Sequence, residues 1–164
     1  MEVGIRKATA EDYTPLCRLF DEVDALHRES LPRLFQKPDG PAWDQDRYRE
    51  TIADEDASML IAQIGETLVG FVHACVTEAP TLPILVPRRL AVVEGIGVKL
   101  GFQKNGIGRM LMEAVQAWAM AKGATAIELN VYEFNRVAMT FYEMLGYQTL
   151  SRKMSKVLSR EKAG

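Results

Sequence analysis

The chain has 164 residues, enough for one domain with a sizeable core and short for two. Its hydrophobic content of 48% is that of an ordinary globular protein, and no apolar run approaches the roughly 20 residues needed to span a bilayer. Net charge is only −2, but 14 Asp/Glu against 8 Lys/Arg up to Asp56 leave −6 there and +4 beyond it, with no basic, aromatic-interleaved stripe of the kind that binds nucleic acid.

The opening Met-Glu-Val-Gly-Ile-Arg lacks the basic-then-apolar order of a secretory signal. Cys17 and Cys75 each stand in an apolar stretch, so the expectation is a reducing cytoplasm without a disulfide framework. No Cys, His and carboxylate cluster has ligand spacing, so no structural metal is expected. The acidic first third and basic remainder either suit one cationic and one polyanionic ligand or are chance scatter.

Strands and helices alternate as in an α/β domain with one mixed sheet and helices packed on it. Val3 to Lys7 reads as a first strand. Thr9, with Asp12 three residues on, reads as a helix N-cap, after which Leu16, Leu19, Phe20, Val23 and Leu26 recur at helical spacing. Pro32, Pro38, Gly40 and Pro41 make the stretch from Ser30 to Trp43 a loop or broken helix, and a short second helix covers Asp44 to Ala53. Met59 to Ile64 and Thr67 to Val76, joined by Gly65-Glu66, form a hairpin. Pro80, Pro83 and Pro87 interrupt the chain before a fourth strand, about Arg89 to Val98. Within it Gly95 and Gly97 flank Ile96, and glycine inside a strand marks a bulge or a close backbone approach.

That strand gives way to Gln103-Lys104-Asn105-Gly106-Ile107-Gly108 and then to a helix from about Gly106 to Lys122. Leu111, Ala114, Val115, Trp118 and Ala119 form the helix's buried stripe, with Gly123 as its C′ residue. Such a turn leaves several backbone N–H groups free and aimed at one point, which the positive end of the helix reinforces as a phosphate site. Glycine there allows close approach and positive φ. The run is neither the P-loop nor the dinucleotide glycine pattern. Ala126 to Val131 alternates as a strand, Arg136 to Leu145 is a last helix ended by Gly146, and Tyr147 to Val157 completes the sheet. With no repeat and no linker, the expectation is one domain over residues 1–158 and a flexible tail over 159–164.

Two segments carry a family resemblance. The glycine turn resembles the Gln/Arg-x-x-Gly-x-Gly/Ala pyrophosphate loop of the GCN5-related N-acetyltransferases. The run from Asn135 through Ala138, Tyr142 and Gly146 to Tyr147 resembles that family's Asn-x-x-Ala-x-x-x-Tyr-x-x-x-Gly-Phe/Tyr signature. The element order β-α-α-β-β-β-α-β-α-β is also the family's, and the specific part of the match is Arg89 to Tyr147. The resemblance implies a mixed, mostly antiparallel central sheet of six to seven strands flanked by about four helices. It also implies acetyl-CoA as cofactor, with coenzyme A released as product. As cofactor contacts it implies Ile96, Gly97 and Val98 on the fourth strand, then Gln103, Lys104, Asn105, Gly106, Ile107, Gly108 and Arg109. Asn130, Asn135, Ala138 and Tyr142 complete that set.

By the same resemblance Asn135 hydrogen-bonds the pantetheine arm, Ala138 makes room for it and the Tyr142 hydroxyl reaches the sulfur. The spacing agrees, since 135, 138 and 142 share one helical face. A bulge in the fourth strand would splay it from the fifth and open a slot for the arm, with the Val98 N–H polarising the acetyl carbonyl. The chain departs from the pattern at Leu100, where a proline is common, at Lys104, where glycine is frequent, and at Gln103, where Arg would give a phosphate partner that Lys104 or Arg109 would restore.

Acetyl transfer to nitrogen poses two proton problems. An alkyl ammonium near pKa 10 must lose a proton before it attacks, and the departing thiolate must be stabilised. Glu94, in the apolar run Leu90-Ala91-Val92-Val93, is expected to be a partly desolvated base; the alternative is a carboxylate that faces water at a sheet edge or caps a neighbour. Tyr142 either assists the thiolate or is a core tyrosine. Neither cysteine lies near these motifs, so direct attack in a ternary complex is favoured over an acyl-enzyme.

For the acceptor, His27, Arg28, Trp43 and the stretch Thr81-Leu82-Pro83-Ile84-Leu85-Val86-Pro87 occupy regions that line the acceptor side in relatives. His73 shares a strand face with Val69, Phe71 and Cys75, as a second base or as a core histidine. The expected function is acetylation of a small-molecule primary amine by a monomer or homodimer. The alternatives are a protein or peptide amine, or a non-catalytic acyl-CoA-sensing module.

Overall fold

The computed structural model describes residues 2–80 and 82–159. They form two compact units, up to Asn130 and from Val131 onward. The first unit holds five strands in the order β1-β2-β3-β4-β5. They are β1 (Gly4–Lys7), β2 (Ala57–Ile64), β3 (Thr67–Glu78), β4 (Arg89–Val98) and β5 (Ala126–Leu129). Every neighbouring pair is antiparallel except β4 with β5. Its helices are α1 (Tyr13–Ser30), α2 (Gln45–Ala53) and α3 (Ile107–Ala121). No helix among the described residues is long and apolar enough to cross a membrane.

Local chemistry sets most boundaries. Asp12 accepts from the Thr9 N–H at 2.7 Å and takes both arms of the Arg6 guanidinium at 2.7 and 2.9 Å, tying β1 to the 3₁₀ turn Ala10–Asp12 before α1. That pairing holds the Asp12 carboxyl below the usual range. The Asp44 side chain caps α2 by accepting from the Arg47 N–H at 2.8 Å. Gly65 at φ +57° closes the β2–β3 hairpin between Ile64 and Thr67, and Gly123 at φ +79° ends α3.

The sheet is covered on both faces within this unit. On one, Leu16, Leu19 and Phe20 of α1 and Tyr48 of α2 pack on Met59, Ile61 and Phe71. On the other, Ala119 of α3 lies with Val76 and Ala91. Tyr48 is fully buried, and its hydroxyl donates to the Thr9 carbonyl at 2.6 Å, which satisfies the one polar atom it takes into the core.

Gly97 is the close approach expected from sequence. A Cβ there would land on Val23 Cγ2 of α1 and sit 2.8 Å from Phe71 Cε1. Gly97→Ala should therefore overpack the α1–β3–β4 contact and cost about 1–3 kcal/mol. A urea midpoint equal to wild type would contradict this.

The second unit contains α4 (Arg136–Met144), capped by Asn135, whose side chain accepts from the Ala138 N–H at 3.1 Å. The α/β mixed sheet is as expected, with four helices among the described residues, but it has five strands rather than six to seven. Residues 147–157, expected to complete the sheet, form no strand. Their apolar side chains at Leu150, Met154 and Val157 do not alternate as a strand requires, and all three are exposed. The tail expected from residue 159 falls almost wholly outside the described residues.

Candidate functional site

The site begins at a break in the sheet. The parallel β4–β5 ladder runs from Leu90↔Ala126 to Val93↔Leu129 and stops. At that point β4 carries an extra residue: His73 pairs with Gly95 and Ala74 with Val93, so Glu94 is the bulged residue. The bulge was expected at the glycines and falls one residue before them. Bulges bend and twist a strand, which here coincides with the loss of the β5 partner.

Hydrogen-bond parity then decides which groups face the open edge. The Ala79 N–H donates to Arg88 O at one end of the β3–β4 ladder and the Lys99 N–H to Val69 O at the other. Antiparallel pairs alternate between bonded and non-bonded. Gly97 and Gly95 therefore face β3, while Ile96 and Val98 turn their N–H and C=O groups to the unpaired edge. The Val98 carbonyl accepts from Gln103 Nε2 at 3.1 Å, so that edge presents the Val98 N–H together with the N–H and C=O of Ile96.

The glycine turn follows directly. Gly106 caps α3 at φ +80° without a side-chain bond. The first N–H groups of α3, at Ile107, Gly108 and Arg109, have no intrahelical partner by geometry. Asn105 Nδ2 donates to the Phe102 and Gln103 carbonyls at 3.2 Å each and stiffens the loop. Lys104 adopts φ +63°, the left-handed region where glycine is more usual, and its side chain is exposed. Gln103, an expected cofactor contact, donates to the Val98 carbonyl, and Arg109 lies 3.6 Å from Glu113. The Leu100 N–H donates to Glu22 Oε2 of α1 at 3.2 Å, a use no sequence pattern announced.

On the face of the sheet that carries α1 and α2, the bulge gathers several groups. Glu94 is exposed, so the expected desolvation does not hold. Contrary to the expectation that both cysteines lie away from the motifs, Cys75 donates its thiol to Glu94 Oε1 at 3.5 Å. Burial, with Glu94 adding to it, pushes the Cys75 thiol up to about 11, so it is a thiol and not a nucleophilic thiolate at neutral pH. His73 packs edge-on against Trp43 at 5.1 Å between ring centres. Burial lowers its pKa, the Glu94 carboxylate opposes the shift and Arg47 adds to it. His73 is therefore neutral at pH 7 and able to accept a proton. His27 lies 3.0 Å from the Val23 carbonyl and beside Phe35, and Arg28 pairs with Asp21 at 3.0 Å. Neither takes part in the Trp43–His73 contact. In the proline-rich loop Ile84 and Val86 are exposed, while Thr81 lies outside the described residues. A cavity of about 330 Å³ along α1, lined by Tyr13, Cys17, Arg18 and Asp21, holds none of the expected residues.

In the second unit, Asn135 Oδ1 is committed to capping α4, which leaves its amide nitrogen for a ligand. Ala138 is half-buried one turn on. Tyr142 stacks edge-on with Tyr147 at 5.8 Å, and burial pushes its hydroxyl up to about 12. Asn130 is exposed just after β5. Sequence reasoning did not find Cys75 or Arg47. The shared face of His73 and Cys75 was visible, but Cys75 meets Glu94 only through the β3–β4 pairing.

Residues 20–147 match the model of the "Acetyltransferase (GNAT) family". An aminoglycoside N(6')-acetyltransferase type 1 of Acinetobacter genomosp. 13 is 25% identical over 134 residues, covering 82% of this chain and 80% of that protein. An L-ornithine N5-acetyltransferase of Arabidopsis thaliana is 23% identical over 141 residues, 86% of this chain and 50% of that protein. Among solved structures, a mutant of the BH1408 protein from Bacillus halodurans superposes with a TM-score of 0.90 at 27% identity, over 95% of this chain and 99% of that one. An aminoglycoside N-acetyltransferase AAC(6')-Iy in complex with CoA shares the fold, with a TM-score of 0.72 at 16% identity over 96% of this chain and 100% of that one. The family match covers most of the chain, and this protein belongs to the acetyltransferase (GNAT) family.

Proposed function

We propose that this acetyltransferase moves an acetyl group from acetyl-CoA to a primary amine of a small molecule, by direct attack in a ternary complex within one domain. The observation that carries the reading is the open β4 edge, where the Val98 N–H faces outward just ahead of the glycine-capped start of α3. In this reading the Ile96 N–H and C=O bind the pantetheine amide groups as a strand would, and the Val98 N–H is kept for the acetyl carbonyl. The Ile107–Arg109 N–H groups take the pyrophosphate, with Lys104 beside it. An aminoglycoside and an ornithine acetyltransferase among the relatives support a small-molecule amine.

The chemistry follows from the groups at the bulge. The amine, deprotonated by Glu94, attacks the thioester carbon, and the Val98 N–H stabilises the oxyanion. Collapse breaks the C–S bond, and loss of the second amine proton to solvent leaves the neutral amide and the thiolate. Tyr142 then hydrogen-bonds the departing thiolate. With its hydroxyl near 12 against a thiol near 8.5, full proton transfer is uphill by about 5 kcal/mol, so a hydrogen bond rather than donation is its role. The high pKa of Cys75 supports direct transfer over an acyl-enzyme.

Free-thiol release with a panel of amines tests the reading. Tyr142→Phe should lower kcat by about 10- to 100-fold while acetyl-CoA affinity stays within about twofold. An unchanged kcat with several amines would sink the assigned role of Tyr142, and no thiol release with any amine would sink the reading.

A further inference from the structure

We propose that Arg47 makes this enzyme selective for acceptors that carry a carboxylate as well as the reacting amine, the chemistry of diamino acids and related aminocarboxylates; the inference rests on the acetyl-transfer reading above. Its basis is a line of stacked groups on one face of the first unit. The Arg47 guanidinium lies over the Trp43 ring at 4.2 Å. The same ring stands edge-on to His73 at 5.1 Å. In the β3–β4 register His73 faces Gly95, next to the bulged Glu94. One end of this line is anionic and the other cationic, and the two stacking distances cap the gap between guanidinium and imidazole at about 9 Å.

The Arg47 backbone N–H is fixed by Asp44 at the cap of α2, and the Trp43 carbonyl accepts from the Tyr13 hydroxyl at 2.7 Å. The guanidinium lies against the Trp43 ring, and among the described residues no carboxylate pairs with it. Its neighbour Arg49, by contrast, lies 3.9 Å from Asp46. An exposed guanidinium without a carboxylate partner matches a carboxylate through two parallel hydrogen bonds. An amine directed to Glu94 and His73 with a carboxylate at Arg47 satisfies both ends; a diamine satisfies only one.

The test compares lysine with cadaverine and ornithine with putrescine, pairs that differ only in the carboxylate, together with an aminoglycoside. In wild type, kcat/KM for each amino acid should exceed that of its diamine by at least about tenfold. Arg47→Gln should collapse that ratio towards one, through KM, with kcat within about twofold, and Arg47→Lys should retain part of it. Equal kcat/KM within each pair, a preference for the diamine or aminoglycoside, or a ratio unmoved in Arg47→Gln overturns the proposal. The wild-type comparison stands even if a variant folds poorly. No turnover of any amine by protein that binds acetyl-CoA would overturn the acetyl-transfer reading instead, and this inference with it.

Discussion

Deletion of Glu94 is expected to leave a folded protein that binds acetyl-CoA at least about 100-fold more weakly, a loss of about 2.8 kcal/mol. Val93 pairs with Ala74 and Gly95 with His73, so Glu94 is the one residue of β4 without its own partner on β3. Removing it preserves every other pair and every side-chain face, which is why the sheet should survive. What disappears is the bend that coincides with the end of the β4–β5 ladder at Val93↔Leu129. A straightened β4 can continue that ladder and close the edge that Ile96 and Val98 present. Glu94→Gln separates this backbone role from the carboxylate. It keeps the bulge, so affinity should stay near wild type while kcat falls by about 100-fold or more from loss of the base. Calorimetry on both variants, with a thermal melt to confirm folding, reads the two effects. Normal acetyl-CoA affinity in the deletion variant would show that the bulge does not make the slot.

The second large effect belongs to Gly106. Its φ of +80° is a region that L-residues enter at about 1–2 kcal/mol, and nothing lies within 4 Å of the Cβ it lacks. Steric damage to the fold is therefore small. Gly106→Asp would place a carboxylate at the positive end of α3, where the proposed pyrophosphate sits. Affinity for acetyl-CoA should fall about 100-fold, and less as ionic strength rises. Gly106→Asn, neutral and tolerant of positive φ, is the control and should lose about tenfold or less. Equal losses in the two variants would remove the charge argument and with it the placement of the phosphates.

The parts of this molecule legible in its sequence are those set by local conformation. Gly65, Gly106 and Gly123 announced a hairpin, a helix start and a helix end, and each adopts the positive φ that such turns use. The helical spacing of Leu16, Leu19 and Phe20 gave the buried face of α1. What depends on register between distant strands was not legible. The bulge residue Glu94 has no compositional mark, and its contact with Cys75 joins positions 19 apart. Arg47 over Trp43 depended on how the loop after α1 enters α2. The expected last strand did not form: residues 148–159 take neither strand nor helix, and Leu150, Met154 and Val157 are exposed.

The central claim is that the β4 edge and the glycine turn hold acetyl-CoA. Calorimetric titration of the full chain with acetyl-CoA, CoA and ATP side by side tests it most directly. Micromolar binding of acetyl-CoA and CoA, with ATP far weaker, is the predicted result. Folded protein that binds neither acetyl-CoA nor CoA would contradict the account, and the glycine turn would be only a tight start to α3.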